Sequence, residues 1–159
     1  MIFVNGKQVI GKVGVLKKKF EDLDKKLERR KKMFERVGIQ IVKAVHKNFK
    51  EEGHEGKKWE PLKPATIKRR RVGKNKTFKN RIMILQDTGV HLRNTFTAQS
   101  TNQSVRVGTP TKFSKSHEKG IWPMPRRPML PSDKLAHEIA VKVCDNFVAE
   151  QIKEAGLNG

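Results

Sequence analysis

Three kinds of side chain in this sequence could carry chemistry: five histidines, one cysteine and a dense run of cations. His54, His91 and His117 fall in or near segments without helical periodicity, where three imidazoles could converge on zinc or manganese and serve a metal-dependent enzyme. Isolated histidines with no shared spacing rarely do so, and no metal ligand set is expected. Cys144 lies on the apolar side of a helical pattern and reads as buried filler, not as a nucleophile. A single cysteine excludes an intramolecular disulfide and any zinc site built on cysteine pairs. No Gly-rich phosphate loop, nucleophile elbow or His-Glu-x-x-His sequence is present. Most acids alternate with lysines along one long helical stretch, where carboxylates stay solvated and ordinary. We therefore expect no catalytic residue and no cofactor.

The cations are the stronger signal. The chain has 36 Lys and Arg against 16 Asp and Glu, a formal net charge of +20. Residues 1–94 hold 27 of the basic and 10 of the acidic side chains, and residues 57–81 hold 11 basic side chains with Glu60 the one acid. Such a field repels copies of itself and attracts nucleic acid, anionic membrane or acidic protein; the bland alternative is a solvated face that aids solubility. Lys68, Arg69, Arg70, Arg71, Lys74, Lys76, Lys79 and Arg81 have no acid among them, so their neutralisation must come from elsewhere. They could contact several phosphates, or an acidic partner, without reading base sequence. Stacking platforms are scarce. There is no tyrosine, and Trp59, Phe78 and Trp122 are not spaced like an RNA-binding motif.

The elements that must position these groups give an α+β class in a single domain, residues 1–159. Residues 1–14 form a hairpin arm: Ile2-Phe3-Val4 and Lys7-Gln8-Val9-Ile10 flank Asn5-Gly6, a pair that accepts the positive φ of a two-residue turn. Residues 15–52 form a long helix, with Leu16, Phe20, Leu23, Leu27, Phe34, Ile41, Val45 and Phe49 at helical intervals and Gly53 as its stop. At about 1.5 Å per residue that helix runs to about 55 Å, against a radius of gyration of about 15 Å for a compact domain of this size. It must bend near Gly38 or pack on another subunit, which makes Leu16, Phe20, Leu23 and Leu27 candidate subunit contacts.

Residues 53–131 hold loops, a short helix around Ala65–Arg71, two antiparallel strands (Leu92–Ala98 and Ser104–Val107), and an extended stretch from 109 to 131 with five of the seven prolines. Ser132 caps a C-terminal helix, residues 132–154, with a wide apolar stripe from Leu135 to Ile152. Both long helices are expected to pack with the small antiparallel sheet. No apolar run approaches the ~20 residues a membrane span needs, and the first residues lack a basic, then apolar, leader; an intracellular product with no membrane partner is expected.

Four short motifs, in order, resemble the phage virion morphogenesis family, which includes tail-completion proteins. The first is Phe49-x-x-x-Gly53-x-x-Gly56-x-x-Trp59-x-Pro61-Leu62-x-Pro64-x-Thr66. The second is Ile84-Leu85-Gln86-Asp87-Thr88-Gly89, followed by Leu92-Arg93-Asn94-Thr95-Phe96. The third is Val105-Arg106-Val107-Gly108 with Phe113-Ser114-x-x-His117-Glu118-x-Gly120, and the fourth Met124-Pro125-x-Arg127-Pro128-Met129-Leu130. Glu55-Gly56 stands where the family usually has Asp-Gly, and Phe113-Ser114 where it has Tyr-Ala.

As structural punctuation, Trp59, Pro61 and Leu62 plug a cleft, Asp87-Thr88-Gly89 turns the chain, and His117, Gly120, Arg127 and Pro128 fix the later loops. Arg127 offers a rigid fork to a carboxylate or to backbone carbonyls. The resemblance implies a non-enzymatic structural protein of the virion neck, made in the host cytoplasm, that completes the tail and helps the head–tail joint. It implies a ring, six copies being expected, beside tail terminator, tube and head connector proteins, with genomic DNA in the channel. Six chains of +20 each would demand such neutralisation. The alternative is a nucleic-acid-binding architectural protein without sequence specificity.

Overall fold

The computed structural model describes residues 3, 4, 7, 8, 18, 21, 22, 25, 30–72, 82–86 and 92–156. Strands β1 (Phe3–Val4) and β2 (Lys7–Gln8) pair antiparallel, Phe3 opposite Gln8 and Val4 opposite Lys7, which is the hairpin expected around Asn5-Gly6. Helix α1 spans Arg30–Glu51, and Lys18, Glu21, Asp22 and Lys25 upstream are also helical and exposed. Leu16, Phe20, Leu23 and Leu27 lie outside the described residues.

The stripe that makes α1 is Val37, Gly38, Val45, Asn48 and Phe49, all buried, with Met33, Phe34 and Ile41 half-buried beside it. Gly38 does not interrupt the helix. A Cβ there would lie 2.5 Å from Ala98 Cβ and 3.0 Å from Val105 Cγ2, so the glycine serves close approach between a helix and a sheet. The stop is also shifted. Glu52 takes the left-handed conformation, φ 50°, and Gly53 already belongs to a strand.

That strand is part of a second hairpin, β3 (Gly53–His54) with β4 (Lys57–Lys58), in a stretch whose sequence suggests only loop. Both turn residues have positive φ, Glu55 at 49° and Gly56 at 83°, the backbone a two-residue turn needs. Helix α2 (Pro64–Val72) is the short helix expected around Ala65–Arg71, with Pro64 in its first turn, where a missing N–H costs nothing.

Two further elements depart from the sequence reading. The strand expected from Leu92 begins five residues later, as β5 (Thr97–Ser100) paired with β6 (Val105–Gly108). Arg93–Thr95 form a 3₁₀ turn instead, because the Thr95 amide and Oγ1 both donate to the Leu92 carbonyl, at 3.3 and 2.8 Å. A helical turn still puts Leu92 and Phe96 on one face, and both are buried. The proline-rich stretch is not extended throughout. Ser114–Lys119 form helix α3, closed by Gly120 at φ 69°.

Helix α4 (Asp133–Glu154) starts as expected at Ser132, whose side chain accepts from the Leu135 amide at 3.3 Å. Its stripe is shallower than the sequence suggests. Phe147 is buried, while Leu135, Ala136, Ile139, Ala140, Val143, Cys144, Val148 and Ile152 are half-buried.

Helix α1 is the centre of the molecule, packed against β5–β6 and against α4. The Arg36 guanidinium lies 5.4 Å from the Phe147 ring centre and pairs with Glu150, tying the two helices at their exposed edge. At the other end of α1, Val45 and Phe49 join Trp59, Leu92, Phe96 and Met129 in the main core, flanked by Ile84, Leu85 and Leu130. Phe49 meets Trp59 edge-on (5.5 Å, 84°) and Phe96 at a tilt (6.1 Å, 60°), geometries that suit ring quadrupoles.

Candidate interaction surface

Residues 127–132 run over the core as a strap, with no strand paired to it among the described residues. Pro128 and Pro131 have no N–H to give a ladder, so side chains from distant elements meet its backbone instead. Trp59 Nε1 donates to the Pro128 carbonyl at 3.0 Å, and Asn48 Nδ2 donates to the Met129 carbonyl at 3.0 Å. His54 Nε2 lies 2.8 Å from the Leu130 carbonyl; since a carbonyl only accepts, Nε2 carries the proton. In the other direction, the Met129 amide donates to Glu118 at 2.7 Å and the Ser132 amide to Glu55 at 2.7 Å. The Ser132 bond holds the Glu55 carboxyl below its ordinary pKa.

Arg127 anchors the strap from its own side chain. It is 5% exposed, and its fork meets backbone carbonyls: Nε and Nη2 donate to Glu60 O at 3.1 and 2.9 Å, and Nη2 reaches Pro61 O at 3.3 Å. The Arg127 amide donates to the His117 carbonyl at 2.7 Å. Burial pushes its guanidinium below the usual pKa, opposed by the Glu60 charge and reinforced by Arg70.

Sequence reasoning singled out Trp59 and Arg127 but missed Asn48 and the hydrogen-bonding roles of His54 and Glu118. The signal for Asn48 was available: it is a polar residue three positions after Val45, on the buried stripe of α1.

Beside the strap lies a cleft of about 440 Å³. Its apolar lining includes Pro61, Leu62, Leu85, Leu92, Phe113 and Met124, and its basic lining Lys63, Arg69, Arg70 and Arg127. His117 also lines it, with Nδ1 buried and without a hydrogen-bond partner. Burial first, then the Arg127 charge, lowers the His117 pKa, which favours the neutral imidazole.

The basic segment divides on this geometry. Four consecutive helical residues point about 100° apart, so Lys68–Arg71 do not form one face. Lys68, Arg69 and Arg71 are exposed, whereas Arg70 is half-buried and donates from Nη1 to the Met83 carbonyl at 2.7 Å. Lys74, Lys76, Lys79, Arg81, Asp87, Thr88, Gly89 and His91 lie outside the described residues. Gly120 allows the chain to pass Arg126, whose backbone nitrogen would lie 3.0 Å from an added Cβ. His54 and His117 serve different parts of the strap region. Among the described residues, no three His, Cys, Asp or Glu side chains gather as metal ligands, and no helix is long and apolar enough to cross a membrane.

No curated protein and no solved structure matches the chain. The motifs that build the strap and cleft fall within residues 12–144, over which the sequence matches a known family. That match covers most of the chain, and the protein belongs to the phage virion morphogenesis family, with the structural, virion-associated role in phage assembly that this implies.

Proposed function

We propose that the protein works without catalysis at the virion neck, completing the tail and stabilising the head–tail joint as a ring of copies, six being the number we favour. Its neighbours would be tail terminator or tube proteins and the head connector, with genomic DNA in the channel. The observation that carries this reading is a virion-assembly chain of net charge +20 that displays Lys68, Arg69 and Arg71, all exposed, on one short helix. A charged ring needs compensating anions, and DNA or acidic neck proteins would supply them.

The test is the triple variant Lys68→Gln, Arg69→Gln, Arg71→Gln, which spares the internal bond of Arg70. Counting joined particles by electron microscopy should reveal a deficit like that of the wild type at raised salt, since both weaken the same attraction. Normal numbers of joined, infectious particles would overturn the reading. Tight, steeply salt-dependent DNA binding by the free monomer alongside normal joining would favour the architectural alternative.

A further inference from the structure

The loop after α3 displays an indole that the fold does not use. Trp122 is 90% exposed, its chain neighbours Ile121 and Met124 are 47% and 37% exposed, and Phe113 before α3 is 47% exposed. The loop is nonetheless firmly built. The Ile121 amide donates to Ser116 O at 2.9 Å, the Met124 amide to Ile121 O at 3.0 Å, and the Arg127 amide to His117 O at 2.7 Å. Gly120 packs directly on Arg126. A large aromatic side chain displayed on a fixed loop loses little freedom on binding, which is why tryptophan dominates interface hot spots.

This loop is continuous with the cleft, since Pro123, Met124 and Pro125 line it. Among the described residues, the cleft combines an apolar floor with Lys63, Arg69, Arg70 and Arg127, against Glu60 as the one carboxylate. Phosphate-rich ligands suit cations alone; a floor of leucine, proline, phenylalanine and methionine suits an apolar side chain. We propose that the cleft and Trp122 together seat an extended protein segment with an apolar anchor residue flanked by Asp or Glu. The anchor enters over Leu62 and Met124, the carboxylates reach Lys63 and Arg69, and Trp122 covers the segment. The partner's being another virion protein rests on the proposed function above.

The experiment places a photo-crosslinking benzoylphenylalanine at position 122 of the full chain during phage assembly. Purified particles are then irradiated and the crosslinked peptide is sequenced by mass spectrometry. The expected product is a peptide of a different virion protein carrying apolar and acidic residues side by side. Adding Arg69→Glu should cut its yield roughly tenfold, the effect of losing one good contact at a hot spot. Because Trp122 is so exposed, circular dichroism should confirm an unchanged fold in both variants. Crosslinks to DNA, crosslinks to a second copy of this chain, or no crosslink in particles that contain the chain would each overturn the docking proposal alone. Particles that lack the chain altogether would overturn the neck reading and this proposal with it.

Discussion

Trp59 is held twice, by its ring against Phe49 and by its indole N–H on the Pro128 carbonyl. Removing a buried indole costs roughly 3–5 kcal/mol, so Trp59→Ala should lower the urea midpoint by a corresponding amount. Trp59→Phe keeps an apolar ring and loses the hydrogen bond, for a smaller cost of about 1 kcal/mol. His117 carries a different prediction, in pH. Its folded pKa lies below the ordinary 6.5, through burial first and the Arg127 charge second. The unfolded chain then binds more protons as pH falls, so the stability contributed by His117 is complete above about 6.5 and is lost as pH drops through the folded pKa. Urea titrations from neutral to mildly acidic pH should show this slope, and His117→Gln should flatten it. Glu55 acts in the same direction but in a lower window, below 4.5, because its depressed pKa is that of a carboxyl.

Between elements, the contact that sets the spacing of α1 and the β5–β6 hairpin is Gly38 against Ala98 and Val105. Gly38→Ala gains about 1 kcal/mol of helix propensity yet places the new Cβ only 2.5 Å from Ala98 Cβ. Overpacking of this kind costs roughly 1–3 kcal/mol. The single variant should melt lower than wild type, and adding Ala98→Gly should recover most of the loss. A stable Gly38→Ala protein would mean that the hairpin slides freely over the helix. This site also marks what the sequence could convey. Apolar spacing revealed α1, and the Ser132 cap with its stripe revealed α4, because both signals are local. Gly38 looked like a helix weakness because its partner is sixty residues away. Leu92–Phe96 alternated like a strand, but a side-chain bond from Thr95 to the Leu92 carbonyl turned it into a helical turn. The cleft was legible only as motifs, Trp59-x-Pro61-Leu62 and Arg127-Pro128. Which carbonyls Arg127 would meet depends on the whole chain.

For the molecule as a whole, opposite salt responses should separate its two kinds of association. Copies of a chain with net charge +20 repel one another, so modest salt should promote self-association of the purified protein. The same salt should weaken binding to DNA or to acidic proteins. Sedimentation velocity and anisotropy across one salt series would compare the two, and parallel slopes would argue against charge as the controlling term. The strap has a kinetic consequence as well. Its bonds to Asn48, His54, Trp59 and Glu60 join residues 81, 76, 69 and 67 positions apart in the chain. Closing loops that long carries its entropic cost before any contact repays it, and topologies of this kind fold slowly. The strap should therefore settle after the rate-limiting step, with α1 and its hairpin already assembled. Stopped-flow measurements on Arg127→Met should then find faster unfolding and a nearly unchanged folding rate. The native lifetime of the protein, more than its speed of formation, would be written into six residues that form neither helix nor strand.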